Sequence, residues 1–532
     1  MRQQVIVTLG RYEDLQASGQ LERLLRSGAR FAAKAMVLSA AADDAAIKIA
    51  VRRIGPALVF ERLWEETGCR AVIAELAGAR GHKFALERAV LLTVLHRLFV
   101  SGSDRAADRW REDYAIAGVE GLDLHHLYRA MAWLGDELPA KEQDGRSPFA
   151  PRCRKDVVEE RLFAHRRDLF TRLDLVFMDT TSLYFEGAGG QTLGRHGYSK
   201  DHRPDLRQMI LAVLLDGDGR PVCSEMWPGN TADVTTLLAV VDRLRQRFAI
   251  GRVCVVADRG MISAATIAGL EERKLEYILG VRERNTKEVY DVVLKDQKPF
   301  VPLLIPRERR DTELEAKNVW VDERRYVVCR NLIEAKRDAE VREAVLRSLR
   351  THLRGGDKTL VGNSAYRRYL KTPDGKHFEI DEKRVAEDAR YDGLYVLRTN
   401  MRLDALAVML RYRELLEVED IFRTTKSILD TRPIYHKTDE AIRGHVFCSF
   451  LALVLRKALE DHLVAARLKP EWGKLIRELD RLQEIETEQE GKHILLRTPV
   501  TGEVGRVFKA VGVALPPNIR EVQPADHAGE TA

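Results

Sequence analysis

The chain is 532 residues long, more than one hydrophobic core can organise and enough for roughly two to four domains. With 45% hydrophobic and 32% charged residues it is neither fibrous nor disordered throughout. A formal charge of +6 over that length permits a nucleic-acid partner without demanding one, because such a partner is held by a local basic surface.

The first residues, MRQQVIVTLGRYEDL, place no apolar stretch behind a basic one, so no secretory leader is predicted. Residues 1–150 read as a helical domain. Apolar side chains surround much of Ala85 to Val100, which stops at Ser101-Gly102-Ser103; Asp104 to Tyr114 is amphipathic, and Leu122 to Leu134 is a third helix. Arg88, His96, Arg97, Arg105, Arg109 and Arg111 are expected on outward faces. A module that binds DNA ends and a plain helical packing domain fit this pattern equally well.

The texture changes near residue 170. Asp174 to Phe185 (DLVFMDTTSLYF), Gln208 to Leu215 and Pro221 to Trp227 are strand-like, and Asp216-Gly217-Asp218-Gly219 between the last two is a hairpin signal. A helix over Val234 to Phe248, a strand over Arg252 to Ala257, a helix near Ser263 to Lys274 and a strand over Glu276 to Val281 follow. Three strands in a meander, then helix and strand in alternation, is the order of a ribonuclease-H-like α/β sheet. Residues 170–284 are therefore the expected first part of a catalytic core.

Residues 285–400 interrupt that order with strands at Val319 to Val328 and Gly393 to Arg398 and a charged helix around Ala335 to Leu353. Too long and too patterned for a loop, the stretch reads as a β-rich inserted subdomain. Helices at Leu403 to Leu429 and His445 to Leu463 make 401–465 the expected second part of the core. In residues 466–532 a polar helix over Trp472 to Glu490 and a short strand-like segment precede a tail, from about 518, expected to be disordered.

The six cysteines, Cys69, Cys153, Cys223, Cys254, Cys329 and Cys448, form no C-x-x-C pair. That argues against a zinc ribbon or a disulfide framework and fits a reducing cytoplasm. The longest apolar run, Val446 to Leu455, has about half the length a bilayer span requires. A soluble intracellular protein with no membrane partner is expected.

Two carboxylates carry the chemistry of the core. Asp179 follows Leu175-Val176-Phe177-Met178, an apolar run suited to a strand buried on both faces, where an acid needs a compensating partner. Asp258 repeats the arrangement after Val253-Cys254-Val255-Val256-Ala257. Acids just beyond two strand ends of one sheet can converge, although each also suits a cap of the turn that follows it. Asp216 and Asp218 are explained by their hairpin turn. Hard divalent cations take oxygen ligands, and a pair of them can activate a nucleophile and stabilise the leaving oxygen of a phosphodiester.

A third acid comes from YRELLEVEDIFRTTK. Glu419 lies seven residues from both Tyr412 and Lys426, and seven helical steps rotate a side chain by only about 20°. The three form one stripe, flanked by Leu415 and Phe422 on one side and by Leu416 and Arg423 on the other. The competing reading is a solvated charged face.

These acids and their surroundings resemble the DDE transposases of bacterial insertion sequences, in the branch with a Tyr-x2-Arg-x3-Glu-x6-Lys signature. Tyr412, Glu419 and Lys426 stand at that spacing, but Leu415 occupies the Arg position. The segments from His196 to Asp205, from Pro228 to Asp233, from Arg432 to His436 and Arg443-Gly444-His445 resemble the family too, so the likeness runs over about 170–460. It implies a ribonuclease-H-like core with a strand-rich insertion before the catalytic Glu. It implies Asp179, Asp258 and Glu419 as catalytic metal ligands for Mg2+, with Mn2+ as a substitute, and Tyr412 and Lys426 as DNA contacts near the cut. Cleavage at transposon ends, followed by attack of 3′-hydroxyls on target DNA, is the implied reaction. Double-stranded DNA at the ends and target is the implied partner of a homodimeric synaptic complex.

Outside that signature, Lys200 and Arg203, with His202 and Arg207, make a basic patch suited to phosphates or a solvated loop. Trp320 suits a packed strand aromatic better than a base-stacking platform, and His436 a hydrogen-bonded structural role. Two other readings stand beside transposition: a metal-dependent nuclease on the same fold without strand transfer, and a catalytically decayed DNA-binding derivative, which Leu415 keeps open. The expected location is the bacterial cytoplasm, at the nucleoid when acting.

Overall fold

The computed structural model describes residues 48–78, 81–100, 102–147, 150–166, 175–199, 203–248, 253–258, 262–281, 287–305, 312–355, 364–372, 377–423, 431, 433–489 and 492–522. The chain divides into two compact units, one made of residues 60–111 and 117–467, the other of residues up to 59, 112–116 and 468 onward. The first elements are β1 (Lys48–Arg53), α1 (Gly55–Glu66), α2 (Cys69–Gly78), α3 (Leu86–Phe99), α4 (Asp104–Trp110), α5 (Leu124–Gly135) and α6 (Arg154–Arg166). Then come β2 (Leu175–Tyr184), β3 (Gln208–Leu215), β4 (Pro221–Pro228), α7 (Asp233–Phe248), β5 (Cys254–Ala257), α8 (Ala264–Glu272) and β6 (Glu276–Val281). The next stretch holds β7 (Val301–Ile305), β8 (Thr312–Val321), β9 (Arg324–Asn331), α9 (Leu332–Gly355), α10 (Ser364–Arg367), β10 (Leu370–Lys371), β11 (Glu379–Ile380), α11 (Glu382–Ala389) and β12 (Leu394–Thr399). Last are α12 (Ala405–Arg423), α13 (Asp439–Ala465), α14 (Trp472–Asp480), β13 (Gln483–Gln489), β14 (Lys492–Arg497), α15 (Val504–Val511) and β15 (Ile519–Val522).

Among the described residues, the larger unit centres on a nine-stranded sheet ordered β4-β3-β2-β5-β6-β12-β9-β8-β7. β2, β3 and β4 form an antiparallel meander, and β5 and β6 run parallel to β2. This is the ribonuclease-H-like order expected from the sequence. β12, β9, β8 and β7 continue the same sheet, each antiparallel to its neighbour.

The apolar runs in β3 and β5 have a plain cause: these strands are covered on both faces, as is β4, whose buried Glu225 joins the charge cluster described below. Leu237, Val241, Leu244 and Phe248 of α7 pack with Ile210, Leu214, Trp227 and Val255. α12 lies against β2, β5 and β6, and α13 against β4 and α5. α13 and α5 cross on glycine. A Cβ at Gly444 would sit 1.9 Å from the Met131 carbonyl oxygen, and one at Gly135 1.9 Å from that of Glu440.

A buried, charge-balanced cluster ties α6 to β4 and α7. Lys155 lies 2.7 Å from Asp156, Arg243 2.7 Å from Asp156 and 3.0 Å from Glu225, and Arg247 2.6 Å from Glu159. With three cations against three anions, each charge has partners, the condition under which buried ions are tolerated. In the smaller unit β1, β13, β14 and β15 form a four-stranded sheet. Tyr114 joins it, accepting from Arg53 at 3.1 Å and donating to Asp480 at 2.8 Å.

Several expectations needed correction. Val319 to Val328 is not one strand but the two arms of a hairpin, β8 and β9, turning at Asp322 with φ 53°. Asp tolerates that left-handed conformation, and a two-residue turn of Asp322 and Glu323 carries no glycine or proline to announce it. The helix begun at Trp472 stops at Asp480, and Gln483–Gln489 instead pairs with both β1 and β14, a tertiary override of weak local preference. The stretch from 518 opens with β15, paired to β14, while residues 523–532 lie outside the described residues. His96 and Arg97 do not face outward; they are 2% and 1% exposed, because α3 is enclosed on nearly every side. Trp320 is exposed rather than packed. No helix among the described residues is long and apolar enough to cross a membrane.

Candidate active site

The parallel pairing of β2 with β5 runs Leu175–Cys254, Val176–Val255, Phe177–Val256 and Met178–Ala257. One step further, the same register sets Asp179 beside Asp258. Asp179 lies mid-strand, paired across to Val213 of β3, whereas Asp258 falls just past the end of β5. Topology alone thus brings together two acids almost eighty residues apart in sequence.

α12 crosses this point. Its Tyr412 hydroxyl donates to Asp258 Oδ1 at 3.0 Å, and Asp258 is half-buried. The helix start is fixed on both sides. Asp404 accepts from the Ala407 N–H at 2.7 Å, capping the first turn. Buried Arg325 of β9 donates to the carbonyls of Met401 at 2.8 Å and Leu403 at 2.6 Å. Desolvation pushes this guanidinium below its ordinary pKa, partly offset by the nearby Asp404 carboxylate. Glu419 lies seven residues beyond Tyr412 in α12, on the Tyr412 stripe.

Sequence reading did not reveal how the two loop segments fit together. A Cβ at Gly197 would meet the Gly229 carbonyl oxygen at 2.0 Å, and one at Gly229 would meet that of Gln208 at 2.0 Å. The segment from His196 and the one from Pro228 are therefore stacked backbone on backbone beside the end of β3. Gln208 Nε2 adds a bond to the Tyr198 carbonyl at 2.7 Å. Asp439, at the start of α13, accepts from the backbone N–H groups of Gln191 and Thr192 at 3.0 Å each. Paired glycines in both segments were the available signal; their partnership was not.

Arg203 is exposed, pairs with Asp205 at 2.8 Å and sits 5.6 Å from the Tyr184 ring centroid. Lys200 and Lys426 lie outside the described residues. His436 has the hydrogen-bonded setting expected of it, 3.2 Å from His445 Nδ1. All six cysteines are buried free thiols.

A ribonuclease-H-like sheet that sets two acids at adjacent strand positions under a crossing helix is an arrangement suited to metal-dependent phosphodiester chemistry. The family profile described as Transposase DDE domain matches residues 171–455, more than half of the chain. The chain belongs to the DDE transposase family, whose members cleave and join DNA strands using divalent metal ions. No curated protein matches it. Among solved structures, a similar chain is that of the cryo-EM structure of the piggyBac transposase synaptic complex with hairpin DNA. It is 13% identical, with 80% of this chain and 79% of that chain covered and a TM-score of 0.37, a likeness too distant to argue from.

Proposed function

We propose that Asp179, Asp258 and Glu419 are the metal ligands of this transposase and that Mg2+ is the working ion, with Mn2+ able to replace it. The observation that carries this reading is the Tyr412–Asp258 hydrogen bond, which seats the Glu-bearing helix beside the end of β5, next to the β2 position that carries Asp179. The donor set suits a hard cation: Tyr412 occupies Oδ1 of Asp258, leaving its second oxygen as a ligand, and the partners offered are carboxylates. Divalent metal bound there lowers the pKa of a water or hydroxyl nucleophile and stabilises the leaving oxygen.

The protein's own part is to orient. Tyr412 holds Asp258 in one rotamer at the DNA-facing side of the sheet, and Lys426, on the same helical stripe in sequence, contacts the phosphates near the cut. Lys200 and Arg203 grip the backbone further out; the exposure of Arg203 supports this. The signature spacing supports reading the chain as one of the insertion-sequence branch described above, which acts in the bacterial cytoplasm as a homodimer that bridges two transposon ends before joining them to target DNA.

The test is strand cleavage and joining on duplex DNA carrying the inverted repeats that flank the gene. Asp258→Asn and Glu419→Gln should abolish both products while DNA binding persists, because metal ligands act on the transition state. Near-normal cleavage by Glu419→Gln removes it from the triad. Cleavage without any joined product identifies a nuclease instead.

A further inference from the structure

Arg97 of α3 is buried, and a buried guanidinium needs partners. One nitrogen lies 2.9 Å from His445 Nδ1 and 3.8 Å from Asp104 Oδ1; the other lies 3.4 Å from Ser449 Oγ. His445 Nε2 is 3.1 Å from the Thr431 carbonyl oxygen. A carbonyl only accepts, so Nε2 carries the proton and Nδ1 accepts from Arg97. Burial and the neighbouring Arg97 charge hold His445 well below the usual histidine pKa, keeping it neutral. His436 Nε2 faces both His445 Nδ1, at 3.2 Å, and Asp104 Oδ2, at 3.4 Å. For Asp104, burial works to raise the pKa, but the His436 hydrogen bond and the Arg97 charge outweigh it.

Asp104, His436 and His445 are as close together as the ligands of a metal ion, their donor atoms all within 4.8 Å. They do not make a metal site, because the Arg97 guanidinium already fills the place of the cation. The cluster acts on the backbone instead. Thr431 and His436 bracket Ile434, whose N–H donates to the Tyr184 carbonyl at 3.2 Å and whose carbonyl accepts from the Glu186 N–H at 3.0 Å. Ile434, which follows the Glu-bearing α12 in sequence, is thereby docked on the end of β2, the strand that carries Asp179. Arg325 fastens the start of that helix, and Arg97 fastens the chain beyond its end.

We propose that Arg97 is a positioning residue for DNA cleavage: through His445 and Asp104 it fixes the backbone around Ile434 on β2 and so sets where the Glu419 helix lies over the aspartates. The inference rests on the triad proposed above. Its energetic logic is that of outer partners at a metal centre, which orient ligands they do not themselves replace.

The experiment is single-turnover cleavage of the inverted-repeat duplex by the full chain across a Mg2+ titration, repeated with Mn2+. Arg97→Lys keeps the charge but loses the fork that reaches both His445 and Ser449. It should raise the half-saturating Mg2+ concentration by about tenfold or more, less in Mn2+, with DNA affinity unchanged. An unchanged metal requirement overturns the proposal, as does a loss confined to the reacting fraction, which is what a merely structural role would give. If Arg97→Lys does not fold, His436→Gln, nearer the surface, should shift the Mg2+ requirement in the same direction, and no shift there overturns the proposal equally. The outcomes separate from those of the triad. Abolition by Glu419→Gln with no shift in Arg97→Lys sinks this inference alone, whereas cleavage by Glu419→Gln sinks the reading beneath it.

Discussion

Tyr412→Phe removes one oxygen and leaves the ring in place, so it isolates the 3.0 Å bond to Asp258. A hydrogen bond to an ionised group contributes about 1.5–3 kcal/mol net. Asp258 is half-buried, so solvent replaces part of that and the lower end applies, about 1.5 kcal/mol or roughly tenfold in an equilibrium constant. What is lost is the orientation of one ligand, which excess metal restores. The assay is end cleavage under single-turnover conditions over a range of Mg2+, alongside DNA binding. The half-saturating Mg2+ should rise about tenfold, the rate at saturation should return near that of the parent protein, and DNA affinity should hold. Weakened DNA binding at an unchanged metal requirement would refute the reasoning and place the hydroxyl on DNA.

Three further outcomes are expected. Changing Lys200 and Arg203 together to Ala should weaken binding to matched and unrelated duplexes alike and flatten its dependence on salt by about two counterions; an unchanged salt series removes the patch. Gly444→Ala pushes a methyl to 1.9 Å from the Met131 carbonyl oxygen, backbone that cannot turn aside, and should cost about 3 kcal/mol in a thermal melt. An unchanged Tm would mean that α5 and α13 part freely. Burial lowers His96 to about 4 and holds His445 well below its usual value, so both stay neutral when folded and take up protons when unfolded. Stability should therefore be level above about pH 6.5 and fall below it by about 1.4 kcal/mol per unit for each histidine, down to the folded pKa values. A melt independent of pH from 7.5 to 5 contradicts this.

The sheet was legible because its signals are local. Apolar runs mark β3 and β5, a Gly-Asp turn marks the β3–β4 hairpin, and heptad spacing marked the stripe whose Tyr412 meets Asp258. Asp322 escaped because its two-residue turn, Asp322-Glu323, carries neither glycine nor proline. The buried cluster was unreadable for a different reason. Arg97 and His445 stand 348 positions apart, and no periodicity reports such a partner. The hint was α3 itself, apolar around most of its surface, which left His96 and Arg97 no outward face. Leu415 departs from the signature, and its side chain lies outside the described residues.

The central claim is that three acids distant in sequence hold metal at one place, and iron can map that place on the folded chain. Fe2+ exchanged for Mg2+ and treated with ascorbate and peroxide cuts the backbone next to its ligands. Cuts should cluster near Asp179, Asp258 and Glu419 and disappear in Asp258→Asn. Cuts at Asp104, His436 and His445 instead, with none near the strand ends, would contradict the account.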